Sequence, residues 1–237
     1  MKDGYELHVT LLSDGTFGSG RGLPGRVDTE VQYDVETGLP YVRGRVLKGL
    51  LVESCTTVVQ SVRQQGQPGV LGRLRKAADW LFGRPGSRRE NEGKLNVGPG
   101  RLPEPLREAV ARDVDARRYS PEAAREALTA VRHQTAIDDV TGAPKDGSLR
   151  SRRVLLRETT LTASLSLREA PPDDALALLH ACAQVTRRGG MGRSRGGARL
   201  DAEFIDPHAT DADEHARRFA LLVRGEAPAP SSAESQS

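Results

Sequence analysis

The chain has 237 residues, a length that suits one large domain or two small ones. Its hydrophobic fraction of 37% still permits a substantial core, and the sequence contains no apolar run long enough to span a membrane. Because the N-terminus lacks the apolar stretch of a signal peptide, we expect a cytoplasmic protein. Cys55 and Cys182 match no metal or redox spacing, which excludes a disulfide scaffold and a cysteine-ligated zinc site and predicts two reduced core residues.

The first half of the chain predicts a strand, a glycine-rich loop and a helix. Residues 5–12 alternate apolar and polar side chains, as in a half-buried strand, and a glycine-rich loop follows over 13–28. A helix begins near Val46, where apolar residues recur at helical spacing. The mostly polar residues 63–92 precede a short strand predicted at 94–97.

The second half continues the alternation of helices and strands. The predicted elements are a helix at 120–133, a projecting loop or hairpin at 136–150, a strand at 153–168, a helix at 171–188, a strand at 198–205 and a helix at 211–223. This order predicts an α+β or split-βαβ sheet with helices on one face. The residues after Gly225 are rich in Ala, Pro, Ser and Glu, a composition typical of a disordered tail.

Basic residues point to an anionic partner. The net charge is only +3, but just five of the 35 basic residues are lysines, and the planar guanidinium of arginine binds phosphate through paired hydrogen bonds. The segment 187–199 contains five arginines, five glycines and no acidic residue. Glycine lets backbone N–H groups approach an anion closely, so we interpret this segment as a phosphate-binding loop. The alternative is a solvated connection between helix and strand.

Two further basic segments favour nucleic acid. The first glycine-rich loop lacks the Gly-Lys-Ser/Thr ending of a Walker-type nucleotide site, which argues against an NTPase. Residues 144–157 contain five basic residues and one aspartate, which indicates either a solvated face or a nucleic-acid surface. Aromatic residues make up only 4% of the chain, so binding must rely on backbone contacts more than on base stacking.

Asp28 is the acidic residue that the sequence most favours as a catalytic residue. It lies between the first glycine-rich loop and an apparent strand at 31–35, with Arg26 close in sequence. A carboxylate at the rim of a basic loop is costly unless it pairs with an arginine or takes part in a reaction, and both interpretations stay open. The histidines show no metal-binding spacing, and the chain has no Gly-x-Ser-x-Gly nucleophile motif.

Four segments in order resemble landmarks of the RAMP superfamily, the RNA-binding proteins of CRISPR systems. They are 25–49, with Asp28 and the Leu-Lys-Gly at its end; Leu81-Phe82-Gly83 followed by Gly93-Lys94-Leu95; 135–143, at the base of the family's thumb; and the glycine-rich signature 189–197. Arg43 and Arg45 depart from the Pro and Ser usual before Leu-Lys-Gly in the family.

The resemblance implies an α+β fold with a modified RRM-like, ferredoxin-type core. It implies one domain over 1–225, with inserted helices at about 63–92 and 101–153, a projecting thumb hairpin, a glycine-rich loop and a disordered tail at 226–237. The context of Asp28 is most similar to backbone subunits of type III CRISPR effectors. Such subunits line up in several copies along a guide CRISPR RNA beside other effector subunits, and the thumb presses between the guide and the complementary target RNA.

The same resemblance implies that Asp28 is catalytic and binds Mg²⁺ or Mn²⁺ to cleave target RNA in antiviral defence. The residues expected to bind RNA are Arg21, Arg26, Arg43, Arg45, Lys48, Arg150, Arg152, Arg187, Arg188, Gly190, Arg193 and Arg195. One alternative is a non-catalytic structural subunit in which Asp28 pairs only with Arg26 or Arg43. Another is a stand-alone endoribonuclease that processes the guide precursor, with His8 or His133 as general acid or base.

Overall fold

The structure is a computed structural model that describes residues 4–18, 20, 27–65, 67–84, 86, 91–192 and 197–226. Its elements are β1 (Glu6–Leu11), α1 (Gly44–Gln64), α2 (Pro68–Phe82), β2 (Leu95–Val97), α3 (Glu104–Asp115), α4 (Pro121–Leu128), β3 (Thr129–Gln134), β4 (Arg150–Leu155), β5 (Thr160–Leu167), α5 (Asp173–Val185), β6 (Leu200–Ile205) and α6 (Glu214–Arg224). None of the helices within these residues has the length and apolar character that a membrane crossing requires. The predicted tail, apart from Glu226, lies outside the described residues.

Four strands form an antiparallel sheet in the order β2-β5-β1-β6. Without α2, α3, α4, α6 and the β3–β4 pair, the chain order is β-α-β-β-α-β, which is the split-βαβ arrangement of a ferredoxin-type core. Side chains of β1 alternate between the two faces, so Leu7, Val9 and Leu11 are buried while Glu6 and His8 are half-buried. The predicted α+β class and the first predicted strand are confirmed.

Helices α1 and α5 build the core against the sheet. Helix α5 is buried along nearly its whole length, because both the sheet and neighbouring helices cover it. Cys55 of α1 and Cys182 of α5 are free, buried and hydrogen-bonded to each other through their thiols. This hydrogen bond and burial raise the pKa of the Cys182 thiol well above its usual value. Both cysteines are therefore core residues, as predicted.

Helices α2 and α3 lie in the two insertions where the family resemblance implies helices, although the residue pattern alone did not place them. Within 63–92, α2 buries Val70, Leu74, Ala77 and Leu81, which recur at helical spacing among charged and glycine residues. Helix α3 is mostly exposed and buries only Val110 among its residues. Sparse apolar positions provide a weak periodic signal, and tertiary packing supplies most of the stability of such helices.

Strand pairing shortens two predicted elements. The helix predicted at 120–133 ends at Leu128, because the next six residues form β3 and pair with β4. The long strand predicted at 153–168 is divided into β4 and β5 by a turn in which Glu158 has a left-handed φ of 67°. The strand predicted at 31–35 is absent, since this segment makes only isolated bridges from Val31 and Tyr33.

Candidate nucleic-acid interface

The two glycine-rich segments meet beside β4. The amide of Gly15 donates to the carbonyl of Leu155 at 3.0 Å, and the amide of Met191 donates to the carbonyl of Thr16 at 2.8 Å. Gly190 has a φ of +67°, and a Cβ there would lie 2.5 Å from the carbonyl oxygen of Thr16, so only glycine fits. The structure thus brings together Thr16 and Met191, which are more than 170 residues apart in the chain.

Asp28 lies near this junction and is held by Ser151 of β4. A Cβ on Gly18 would lie 3.3 Å from Cγ2 of the neighbouring Thr29 and 3.4 Å from Sδ of Met191. Its Oδ2 accepts hydrogen bonds from the backbone N–H of Ser151 at 2.7 Å and from the Ser151 hydroxyl at 3.0 Å. The backbone N–H of Asp28 lies 3.1 Å from the Ser151 Oγ. Asp28 is otherwise exposed, and no described residue forms a hydrogen bond with its Oδ1. One oxygen is therefore fixed while the other faces outward.

The surroundings of Asp28 favour the charged carboxylate. Hydrogen bonds from the backbone and hydroxyl of Ser151 lower the pKa of Asp28, and the nearby charge of Arg150 lowers it further. Asp28 is thus ionised at neutral pH. Because the folded-state pKa is depressed, any stabilisation from this site is present above the unfolded pKa and is lost as the pH falls through the folded pKa.

Replacing Ser151 by alanine should raise the pKa of Asp28 only part of the way to its ordinary value. The hydroxyl is lost, but the backbone N–H, which lowers the pKa most, remains in place. Carboxyl-detected NMR titration of the two proteins measures the difference. Asp138 is the internal control, because its pKa is lowered by the backbone and hydroxyl of Thr141 and should not change. An unchanged Asp28 pKa contradicts the role given to the hydroxyl.

His133 also lies at this site. It is directly opposite Ser151 in the β3–β4 pairing, which puts both side chains on the same face of the hairpin, and its ring is exposed. The sequence indicated His133 only as an alternative acid or base, and it gave no indication of Ser151, which is 123 residues from Asp28. His8, the other alternative, is in β1 and bonds to Glu6 at 2.8 Å.

The basic residues of β4 have different environments. Arg150 is exposed, whereas the buried Nε of Arg152 has no hydrogen-bond partner within the described ranges. A Cβ on Gly192 would lie 2.9 Å from Nη1 of Arg152, so the guanidinium lies directly against the second glycine-rich loop. Arg150 and Arg152 alternate along the strand with Ser151, and they therefore project from the opposite face of the hairpin.

The candidate RNA-binding residues around the start of α1 differ in exposure and in hydrogen bonding. Arg45 is exposed, and Arg43 donates hydrogen bonds to the side-chain carbonyl of Gln32. Lys48 donates to the carbonyl of Leu95 at 2.7 Å, and its partial burial lowers its pKa. The backbone carbonyl of Leu95 thus takes one of the three N–H donors of Lys48.

The second glycine-rich loop is described in part. Arg187 forms an ion pair with Asp201, while Arg188 is exposed and its backbone bridges to Arg199. Four of the predicted RNA-binding residues lie outside the described residues: Arg21, Arg26, Arg193 and Arg195. Whether the sequence-predicted basic residues bind RNA stays a prediction.

The junction offers a metal few protein ligands. Within the part of the chain that the structure describes, no group of three His, Cys, Asp or Glu side chains could hold an ion. Asp28 can provide one outward carboxylate oxygen, a hard donor suited to Mg²⁺ or Mn²⁺. Such a site fits an ion that keeps most of its water or takes its other ligands from a bound phosphate.

The chain belongs to the RAMP superfamily, whose sequence profile matches residues 8–200. A comparison with curated proteins gave no significant match.

Among the solved structures that share the fold are two of type III-B Cmr-beta. One is a chain from the cryo-EM structure of the apo state of type III-B Cmr-beta, with 12% identity and a TM-score of 0.58 over 86% of this chain and 97% of that chain. The other comes from type III-B Cmr-beta bound to cognate target RNA, with 10% identity and a TM-score of 0.57 over 84% of this chain and 96% of that chain.

Proposed function

We propose that this protein is a guide-RNA-binding backbone subunit of a type III CRISPR effector and that it cleaves complementary target RNA at Asp28. RAMP superfamily membership and the shared fold with Cmr-beta chains support the effector role. The observation that carries the catalytic role is the ionised Asp28 carboxylate, fixed on one oxygen and open on the other, where two glycine-rich segments meet. Its partners are the guide and target RNAs, other effector subunits and further copies of itself.

The chemistry follows from the position of a carboxylate beside a phosphate-binding surface. When a splayed nucleotide aligns the two groups, an RNA 2′-hydroxyl loses its proton to water and its oxygen attacks the adjacent phosphorus. A 2′,3′-cyclic phosphate forms as the bond to the 5′-oxygen breaks, and that oxygen leaves as a hydroxyl after taking a proton from water. Orientation supplies much of the acceleration. DNA lacks this hydroxyl, so RNA is the expected substrate. Arg150 is exposed and its charge acts on Asp28, so it can contact the phosphate backbone while Asp28 faces the reacting group.

A divalent cation fits this site. Asp28 would hold it through Oδ1, because Ser151 occupies Oδ2. When bound, Mg²⁺ or Mn²⁺ stabilises the negative charge that develops on the phosphate. The role of the protein is to keep the carboxylate ionised and oriented.

The β3–β4 hairpin is suited to act as the thumb. Its tip carries exposed apolar side chains, with Ile137 56% and Val140 93% exposed, and these can separate bases. The tip is closed by backbone hydrogen bonds within it. The amide of Asp138 donates to the carbonyl of Ala143, and the amide of Lys145 donates to the carbonyl of Ala136. The tip therefore depends little on the core for its structure.

The proposed function is tested by assembling the effector around a known guide and adding complementary RNA. We expect cleavage in Mg²⁺ or Mn²⁺ at regularly spaced sites and none in EDTA. Sequencing the RNA that co-purifies with the protein should return guide RNA. A complex that binds complementary RNA but leaves it intact in both metals indicates a non-catalytic structural subunit.

Replacing the tip residues 137–144 by a short glycine turn should leave the fold stable and remove the regular spacing of cleavage. The reason is that the tip makes its backbone hydrogen bonds internally, while its apolar side chains are exposed. Thermal unfolding and mapping of the RNA fragments measure the two effects. If the variant unfolds, or if the fragments keep their spacing, the thumb assignment is wrong.

The position of His133 favours one second candidate, a metal-independent endoribonuclease that processes the guide precursor. Its exposed ring lies on the same face of the hairpin as Ser151, beside Asp28, where it could transfer a proton. Cleavage of precursor RNA by the free subunit in EDTA, and its loss in His133→Ala, would support this alternative over the effector role.

A further inference from the structure

We propose that Ser151 is a positioning residue that holds the Asp28 carboxylate in its productive orientation and thereby sets the affinity of the site for a divalent cation. This inference rests on the proposed function, because it concerns the same carboxylate. It adds a residue from the hairpin that no RAMP landmark in the sequence indicates.

The contact is a three-point clamp. The N–H and the hydroxyl of Ser151 both bond to Oδ2 of Asp28, and the amide of Asp28 lies 3.1 Å from the same hydroxyl oxygen. Bonds to both the backbone and the carboxylate of Asp28 restrict rotation about its Cα–Cβ and Cβ–Cγ bonds. An exposed aspartate without such contacts samples several rotamers. Because the contacts with Ser151 already restrict the Asp28 side chain, binding of a metal or phosphate loses less side-chain entropy.

Backbone hydrogen bonds hold Ser151 and the Asp28 segment together. The amide of Thr29 donates to the carbonyl of Ser151 at 3.2 Å, and the amide of Arg153 donates to the carbonyl of Thr29 at 2.9 Å. These bonds join the Asp28 segment to β4 as a short parallel pairing. Ser151 is therefore fixed on a strand, where a positioning group is held more accurately than on a free loop.

Only the hydroxyl part of the clamp is removed by Ser151→Ala. The backbone N–H stays, so Asp28 should remain ionised and the fold intact while the carboxylate gains rotational freedom. Groups that orient metal ligands typically contribute about 10- to 100-fold to metal affinity or activity. We expect Ser151→Ala to weaken Mn²⁺ binding and to slow cleavage within that range.

The experiment uses the assembled complex with guide RNA and an uncleavable target that has 2′-deoxy substitutions at the cleavage sites. Mn²⁺ is titrated while electron paramagnetic resonance measures the free ion, and cleavage of ordinary target RNA is followed in parallel. The variants are Ser151→Ala, Ser151→Thr, Asp28→Ala and Ser61→Ala. Thr keeps the hydroxyl and should restore affinity and rate, while Ser61, exposed on α1 and bonded to the carbonyl of Thr57, is the matched control.

The outcomes separate the two proposals. If Asp28→Ala abolishes the Mn²⁺ site and cleavage but Ser151→Ala matches the wild type in both, the positioning role is overturned and the proposed function stands. If Asp28→Ala cleaves at the wild-type rate, the proposed catalytic function fails. Equal losses in Ser151→Ala and Ser151→Thr also overturn the inference, because the effect then does not depend on the hydroxyl. Thermal unfolding of each complex identifies any variant that loses its fold.

Discussion

Replacing Asp28 by alanine should reduce cleavage of target RNA by about two to four orders of magnitude, the range typical of losing one strong electrostatic contributor. The side chain is exposed, so its removal takes away no buried apolar surface, and folding and guide binding should persist. Target affinity should not fall, since the change removes a negative charge near phosphate. Single-turnover cleavage by assembled complexes in Mg²⁺ or Mn²⁺ measures the effect.

Asp34 is the matched control for this substitution. Its Oδ1 accepts hydrogen bonds from the backbone of Glu36, and from the backbone and hydroxyl of Thr37, so it stabilises a local turn. The Asp34→Ala complex should keep most of the activity. Full cleavage by Asp28→Ala, or an equal loss in Asp34→Ala, would end the assignment of Asp28 as the catalytic residue.

Replacing Glu30 by alanine should lower the free energy of unfolding by about 3–5 kcal/mol, because it leaves a buried guanidinium without its counter-ion. The Nε of Arg153 lies 3.1 Å from a carboxylate oxygen of Glu30, and the two side chains are only 8% and 4% exposed. Arg153 also donates to the hydroxyl of Thr129 at 3.1 Å, so this pair joins the base of the hairpin to the Asp28 segment. Urea unfolding of the full chain measures the change.

Glu36 provides the control, since it is exposed and close in sequence, and Glu36→Ala should change stability by no more than about 0.5 kcal/mol. Replacing both members of the pair with apolar residues, as in Glu30→Leu with Arg153→Met, should recover much of the lost stability. If Glu30→Ala is as stable as the wild type, the guanidinium has another partner and the pair is not what holds the hairpin base.

The spacing of apolar residues along the chain predicted the elements of the core better than those of the insertions. The alternation of β1 and the almost wholly apolar α5 are strong signals, because both elements bury regular sets of side chains against the sheet. The helix predicted at 120–133 extends too far, because pairing of β3 with β4 overrides the helical preference of its last residues. This contact spans about 20 residues of sequence, so local pattern does not show it. The apolar positions of α2 were present but diluted by polar neighbours.

The sequence could predict individual residues of the candidate site but not the tertiary contacts between them. Asp28 stands out in sequence as an acid beside a basic, glycine-rich segment, and Arg152 as part of a charge cluster. The hydroxyl of Ser151 gives no such signal, because its role arises from a tertiary contact. Lys48 differs from Ser151, because the sequence does indicate it, as a surface cation. What the sequence does not show is that Lys48 donates to the carbonyl of Leu95 where α1 packs beside β2.

The self-contained bonding of the hairpin tip has a consequence for design and evolution. Because Asp138 and Lys145 close the tip through bonds within it, the segment between them can be lengthened or exchanged without changing the core. The base, by contrast, is joined to the Asp28 segment through Thr29 and Ser151. The length of the tip can therefore vary independently of the proposed site at Asp28. If the proposed function holds, chimeric hairpins offer a route to effectors that cut RNA at a chosen interval.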